Sequence, residues 1–131
     1  MSYELRAVIA GEAVLRAVAG DRVASLGQGL SLTPMGDDLS EERLAEWSDL
    51  GPVAVVEAEY FGGVGEQRAA VWERGALVLG PLRIEEGEPF GADGSPISQA
   101  LRRLGVRAKG GADEFSAVGL DQHRSTSRWF G

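Results

Sequence analysis

Glu57 and Glu59 stand two residues apart in the run Glu57-Ala58-Glu59-Tyr60-Phe61-Gly62-Gly63-Val64-Gly65-Glu66-Gln67. On a strand that spacing projects both carboxylates to one side, as a carboxylate acid/base pair or a hard-cation site requires. Tyr60, Glu66 and Gln67 add a phenol and further oxygens. Together, Glu57, Glu59, Tyr60, Glu66 and Gln67 make the candidate site of a small enzyme or ligand-binding domain at a hairpin tip. Two carboxylates with no histidine or third acid beside them fall short of a metal site, and solvation or pairing of Glu59 with Arg68 is the simpler expectation. Neither a metal nor a cofactor is expected.

Other chemistry is thinly represented. His123 is the only histidine, which excludes a two-histidine zinc helix. Asp121, His123 and Ser125 or Thr126 imitate a catalytic triad in composition, but residues so close along one segment seldom reach its geometry. Ser25, Ser31 and Ser116 lack the flanking glycines of a nucleophile elbow. With no cysteine there are no disulfides, thiolate ligands or thiol nucleophiles. Gly62, Gly63 and Gly65 permit positive φ at the tip. A phosphate loop, however, runs from strand into helix with Lys and Ser or Thr following, whereas this one runs into Glu66 and a strand. Tight-turn geometry accounts for the three glycines, and no catalytic residue is assigned.

Charge says more. The 131-residue chain carries 20 acidic against 13 basic residues, a net charge of -7. Such a surface repels nucleic-acid phosphates and acidic lipid headgroups and attracts a cationic protein. The acids concentrate mid-chain, so Asp38, Glu41, Glu42, Glu46, Glu57 and Glu59 are the expected partner-binding residues. No apolar run is long enough to span a bilayer and no basic, apolar leader opens the chain, so a cytoplasmic protein is expected.

The elements that would position these residues follow from periodicity. Tyr3, Leu5, Ala7 and Ile9 alternate as in a strand, and Val14, Ala17 and Val18 have helical spacing that ends at Gly20. Residues 23–33 read as one strand with a bulge, stopped by Pro34. Asp38 and Glu41 have capping-box spacing ahead of an acidic helix striped by Leu39, Leu44 and Trp47. Residues 53–61, 66–73 and 76–84 predict a three-stranded antiparallel meander, joined by a four-residue tip and an Arg74-Gly75 turn that sets Trp72 opposite Leu77. Its Val55, Trp72 and Leu77 face needs a cover, either a helix or a second subunit in a homo-oligomer. Residues 85–94 read as a surface loop, and Ser95-Pro96 opens a helix through Ile97, Leu101 and Leu104. Residues 115–120 predict a short strand or docked segment. Residues 121–131 form either a loose tail or one docked through Trp129 and Phe130. The expected architecture is one α+β domain: an antiparallel sheet of about five strands with about three helices packed on it.

The stretch from Glu57 to Trp72 resembles a group of uncharacterised bacterial proteins, actinobacterial in residue usage, that share a Tyr-Phe-Gly-Gly-x-Gly-x-Gln strand-turn-strand motif. The resemblance implies a shared fold and transfers no activity. The expected function is a non-enzymatic acidic interaction protein, immunity- or antitoxin-like, that binds a basic protein. Gln67, an amide on an apolar strand face, is expected to bond to the backbone of the tip.

Overall fold

The structure, a computed structural model, describes residues 2–36, 39–61, 64–86, 88–89, 91–108, 110 and 113–130, with Val64 described in its backbone alone. Strands β1 (Ser2–Gly11), β2 (Ala24–Ser25), β3 (Leu30–Pro34), β4 (Val53–Phe61), β5 (Val64–Glu73) and β6 (Ala76–Ile84) form one antiparallel sheet in the order β2-β3-β1-β4-β5-β6. Helices α1 (Glu12–Ala19), α2 (Glu41–Ser48), α3 (Pro96–Arg103) and the single-turn α4 (Glu114–Ala117) pack on it. The chain is thus α+β, with three longer helices and one strand more than expected.

The sheet is sandwiched. On its first face Leu5, Ala7, Ile9, Ala54, Val56, Ala58, Ala69 and Val71 meet Ile97, Ala100 and Leu101 of α3, together with Val118 and Leu120. On the second face Val8, Ala10 and Val53 are buried with Leu15 of α1 and Leu44 of α2. Because β1 is central and covered on both sides, the run Ala7 to Ala10 is buried without alternation. Val55 and Trp72 join this second cluster beside Trp47, leaving Leu77 42% exposed at its margin. The cover that this face requires is therefore supplied by the chain's own helices.

Local chemistry explains the element ends. Ser95 Oγ accepts the Ser98 N–H at 3.1 Å, Pro96 occupies the first helical turn, and Gly105 follows the helix at φ 97°. Arg74 and Gly75 both have positive φ, as a tight hairpin turn needs, and Trp72 does pair with Leu77. Three expectations are corrected. Residues 23–33 form two strands, because Gln28 (φ 58°) and Gly29 (φ 77°) turn the chain so that Ala24 pairs with Leu32. The cap of α2 is Ser40, whose hydroxyl accepts the Arg43 N–H at 3.2 Å, and Asp38 lies outside the described residues. Of the two readings of 115–120 the strand does not form, because Asp113 caps α4 by accepting from Ser116 N–H at 2.9 Å, while the docked segment does, with Val118 and Leu120 buried in the first core.

The tail is docked. Where β3 ends, segment 124–126 takes its place beside β1: Glu4 N–H donates to the Arg124 carbonyl at 2.8 Å and Arg6 N–H to Thr126 Oγ1 at 2.9 Å. The Glu4 carboxylate accepts in return from Thr126 N–H and Oγ1–H. Trp129 and Phe130 pack against the first core, and Arg22 lies 5.9 Å above the Phe130 ring.

Tyr3 ties the same region down, its hydroxyl donating to the Leu120 carbonyl at 2.9 Å and its ring 5.5 Å from Phe115. Burial pushes the Tyr3 phenol well above its ordinary value of 10.0, and the carboxylates of Asp121 and Glu4 add to the shift. Above pH about 10 the unfolded chain releases this proton while the folded chain keeps it, so the native state binds more protons and stability falls as pH rises. Denaturant titrations across alkaline pH should show Tyr3→Phe declining less steeply than the parent. At neutral pH the variant should be about 1 kcal/mol less stable for the lost hydrogen bond. Equal slopes would mean the Tyr3 proton is not linked to folding.

Candidate functional site

Past the edge of α1 and α2 the second face of the sheet continues, uncovered, to the β4–β5 tip. Residues directly opposite across an antiparallel pair share a face. The register places Glu4 opposite Glu59 and Glu59 opposite Glu66, so three carboxylates form one row across β1, β4 and β5. The neighbouring row is Arg6, Glu57, Arg68 and Arg83. A cleft of about 160 Å³ runs between them, lined by Glu4, Arg6, Glu57, Glu59, Glu66, Arg68 and the strand backbone. Next to it a 280 Å³ hollow is lined by Glu59, Phe61, Gly65, Glu66 and Glu86, with Phe61 78% exposed.

Charge on this face is only partly neutralised. Arg6 Nε meets Glu57 Oε1 at 3.0 Å, while Arg83 lies 3.8 Å from Glu66 and 3.1 Å from Glu85. These pairs are solvent-exposed and each contributes about 0–1 kcal/mol. Glu59 and Arg68 have no ion-pair partner among the described residues. The expected Glu59–Arg68 pair does not form, because Phe61 pairs with Val64 and the tip holds two residues rather than four. Arg68 therefore sits opposite Glu57, whose carboxylate is already engaged by Arg6.

The five residues proposed for a hairpin-tip site are not brought together. Glu57, Glu59 and Glu66 lie on the open face, whereas alternation turns Tyr60 and Gln67 to the first face. Gln67 is buried, and its Oε1 accepts the Ile97 N–H of α3 at 3.1 Å; among the described residues it takes no bond from the tip backbone. Tyr60 is partly buried, which raises its pKa, and a hydrogen bond from Gln67 offsets part of the rise. Among the described residues no group of three or more acidic or histidine side chains is arranged to hold a metal ion. Gly62 and Gly63 lie outside the described residues; Gly65 is not in the turn but in β5, opposite Tyr60. A Cβ there would run into the Glu59 carbonyl and the Tyr60 backbone, so Gly65 serves close strand approach.

The triad imitation does not assemble either, since Thr126 is committed to Glu4 and the His123 ring stacks edge-on against Trp129 at 4.6 Å. Glu41, Glu42 and Glu46 are exposed on α2, which packs on the same side of the sheet as the carboxylate row. Sequence reasoning missed Glu4, Arg6 and Arg83, which reach this face only through strand pairing, and it missed the exposure of Phe61. No protein-family model, curated protein or solved structure matches the chain.

Proposed function

We propose that the protein is a non-enzymatic binding partner of a cationic protein, immunity- or antitoxin-like in action, and that it docks through the open acidic face of its sheet. The observation that carries this reading is the row Glu4, Glu59, Glu66. Like charges placed directly opposite one another across strands destabilise a sheet, and a local conflict of that kind is expected where function rather than folding sets the residue. A partner's arginine or lysine laid over the row would relieve the repulsion. Phe61 beside it supplies an exposed aromatic contact of the type that dominates interface energetics. Glu41, Glu42 and Glu46 on α2 extend the negative potential over the same side and would act mainly on the association rate.

The test is capture from a lysate of the source organism at low salt, followed by binding measurements on the recovered protein. Glu59→Lys/Glu66→Lys/Phe61→Ala is expected to weaken the complex by a factor on the order of 100 or more. Glu41→Lys/Glu42→Lys/Glu46→Lys should chiefly slow association and flatten its salt dependence. A captured complex indifferent to both sets, or a captured protein with no cationic surface, would overturn the proposal.

A further inference from the structure

We propose a second binding site, for a phosphate monoester, in the cleft formed by the docked tail. The cleft measures about 490 Å³ and is lined by Ser2, Gln122, His123, Arg124, Ser125 and Arg128. It shares no lining residue with the acidic face. Its volume falls within the range of small-molecule sites, roughly 300–1,000 Å³. Every described side chain that lines it can donate a hydrogen bond, and among the described residues no carboxylate lines it.

In a chain of net charge -7 that composition is unusual, and the pairing pattern sharpens it. Arg6, Arg16, Arg83, Arg102 and Arg103 each meet a carboxylate, whereas Arg124 and Arg128, like Arg22, Arg68, Arg74 and Arg107, have none among the described residues, and Arg124 and Arg128 line the same cleft. Two unpaired guanidiniums on one cleft suit a phosphate, whose oxygens accept the planar fork of arginine two at a time. Glu4 and Asp121, the acids nearest the segment in pairing and in sequence, do not line the cleft, and the Glu4 carboxylate is held by Thr126. The acidic surface elsewhere is screened beyond about 8 Å at physiological ionic strength.

The segment is also held in shape before any ligand arrives. The Arg124 carbonyl accepts from Glu4 N–H at 2.8 Å, and Arg128 N–H donates to the Ser125 carbonyl at 3.2 Å. His123 is braced against Trp129. The cost of ordering the loop has therefore been met by folding.

The experiment is a nuclear magnetic resonance titration of the isotope-labelled full chain with phenyl phosphate and, separately, inorganic phosphate, at constant ionic strength set by chloride. Saturable shifts are expected at Ser2, at the amides of residues 122–128 and at the His123 ring, with the ester binding at least as tightly as the free anion. Arg124→Gln/Arg128→Gln should weaken binding about tenfold or more. Both side chains are exposed, so the variant should keep a folded spectrum. Arg16→Gln, on α1, should bind as the parent does. Shifts that fail to saturate, shifts elsewhere on the molecule, unchanged affinity in the double variant, or binding of inorganic phosphate without the ester would each overturn the proposal.

Discussion

Gln67→Met is expected to destabilise the protein by about 2 kcal/mol, and Gln67→Ala by about 3 kcal/mol or more, as read from urea unfolding at neutral pH. The reason lies in the accounting of amides at the start of α3. Pro96 has no N–H, the Ser98 N–H goes to Ser95 Oγ, and the Ile97 N–H goes to Gln67 Oε1 at 3.1 Å. Gln67 is 7% exposed and Ile97 fully buried, so water cannot take over the bond. Leaving a buried donor unpaired costs about 1–3 kcal/mol. Methionine keeps nearly the same volume and removes only the polar atoms, so it reads that term together with the lost hydrogen bond to Tyr60, without a cavity. Alanine adds a cavity between β5 and α3. The same bond ties residues 30 positions apart in the chain, so its loss should also speed amide exchange in the first turn of α3. If both variants stay within about 0.5 kcal/mol of the parent, Gln67 does not hold the helix to the sheet.

This amide marks the boundary of what the residue pattern discloses. That Gln67 was out of place on an apolar face was legible, but its partner was not, because nothing in local spacing relates strand β5 to the start of α3. The same limit hid the role of Glu4, whose carboxylate meets Thr126 122 residues away, and of Arg6, which meets Glu57 51 residues away. Signals carried by the nearest few residues were clear. Ser95-Pro96 did open a helix, and the Arg74-Gly75 turn did set Trp72 against Leu77. The tip was misjudged in length by two residues, yet the faces of β4 and β5 came out correctly. Side-chain direction repeats every two residues, so a two-residue slip changes partners without changing faces. Positive φ at Gln28 had no such protection. A non-glycine residue seldom adopts it, and reading through it fused β2 with β3.

Leu101→Ala is expected to cost about 4 kcal/mol, near the upper end of leucine truncations, and Leu15→Ala about 2–3 kcal/mol, although both side chains are fully buried. The difference rests on what surrounds each. Leu101 belongs to α3, which packs chiefly on β5, and the first face of the sheet beneath α3 is rich in small residues: Ala54, Ala58 and Ala69. Large side chains on the helix fill the space that alanines leave on the strands. Once Leu101 is truncated, those alanines have no side chain that can swing into the gap, and the cavity penalty of about 24 cal/mol per Å³ applies to most of the volume removed. Leu15 instead lies in the smaller cluster, with the half-buried Val14, Val18 and Val23 close to the surface. Helix α1, which packs on β3 and β1 and carries two of these half-buried valines, can shift inward and close part of the void. Paired urea titrations of the two variants decide the matter. If Leu15→Ala proves as costly as Leu101→Ala, the second layer is as rigid as the first, and the large-on-small packing of α3 against the sheet does not set the order of stability.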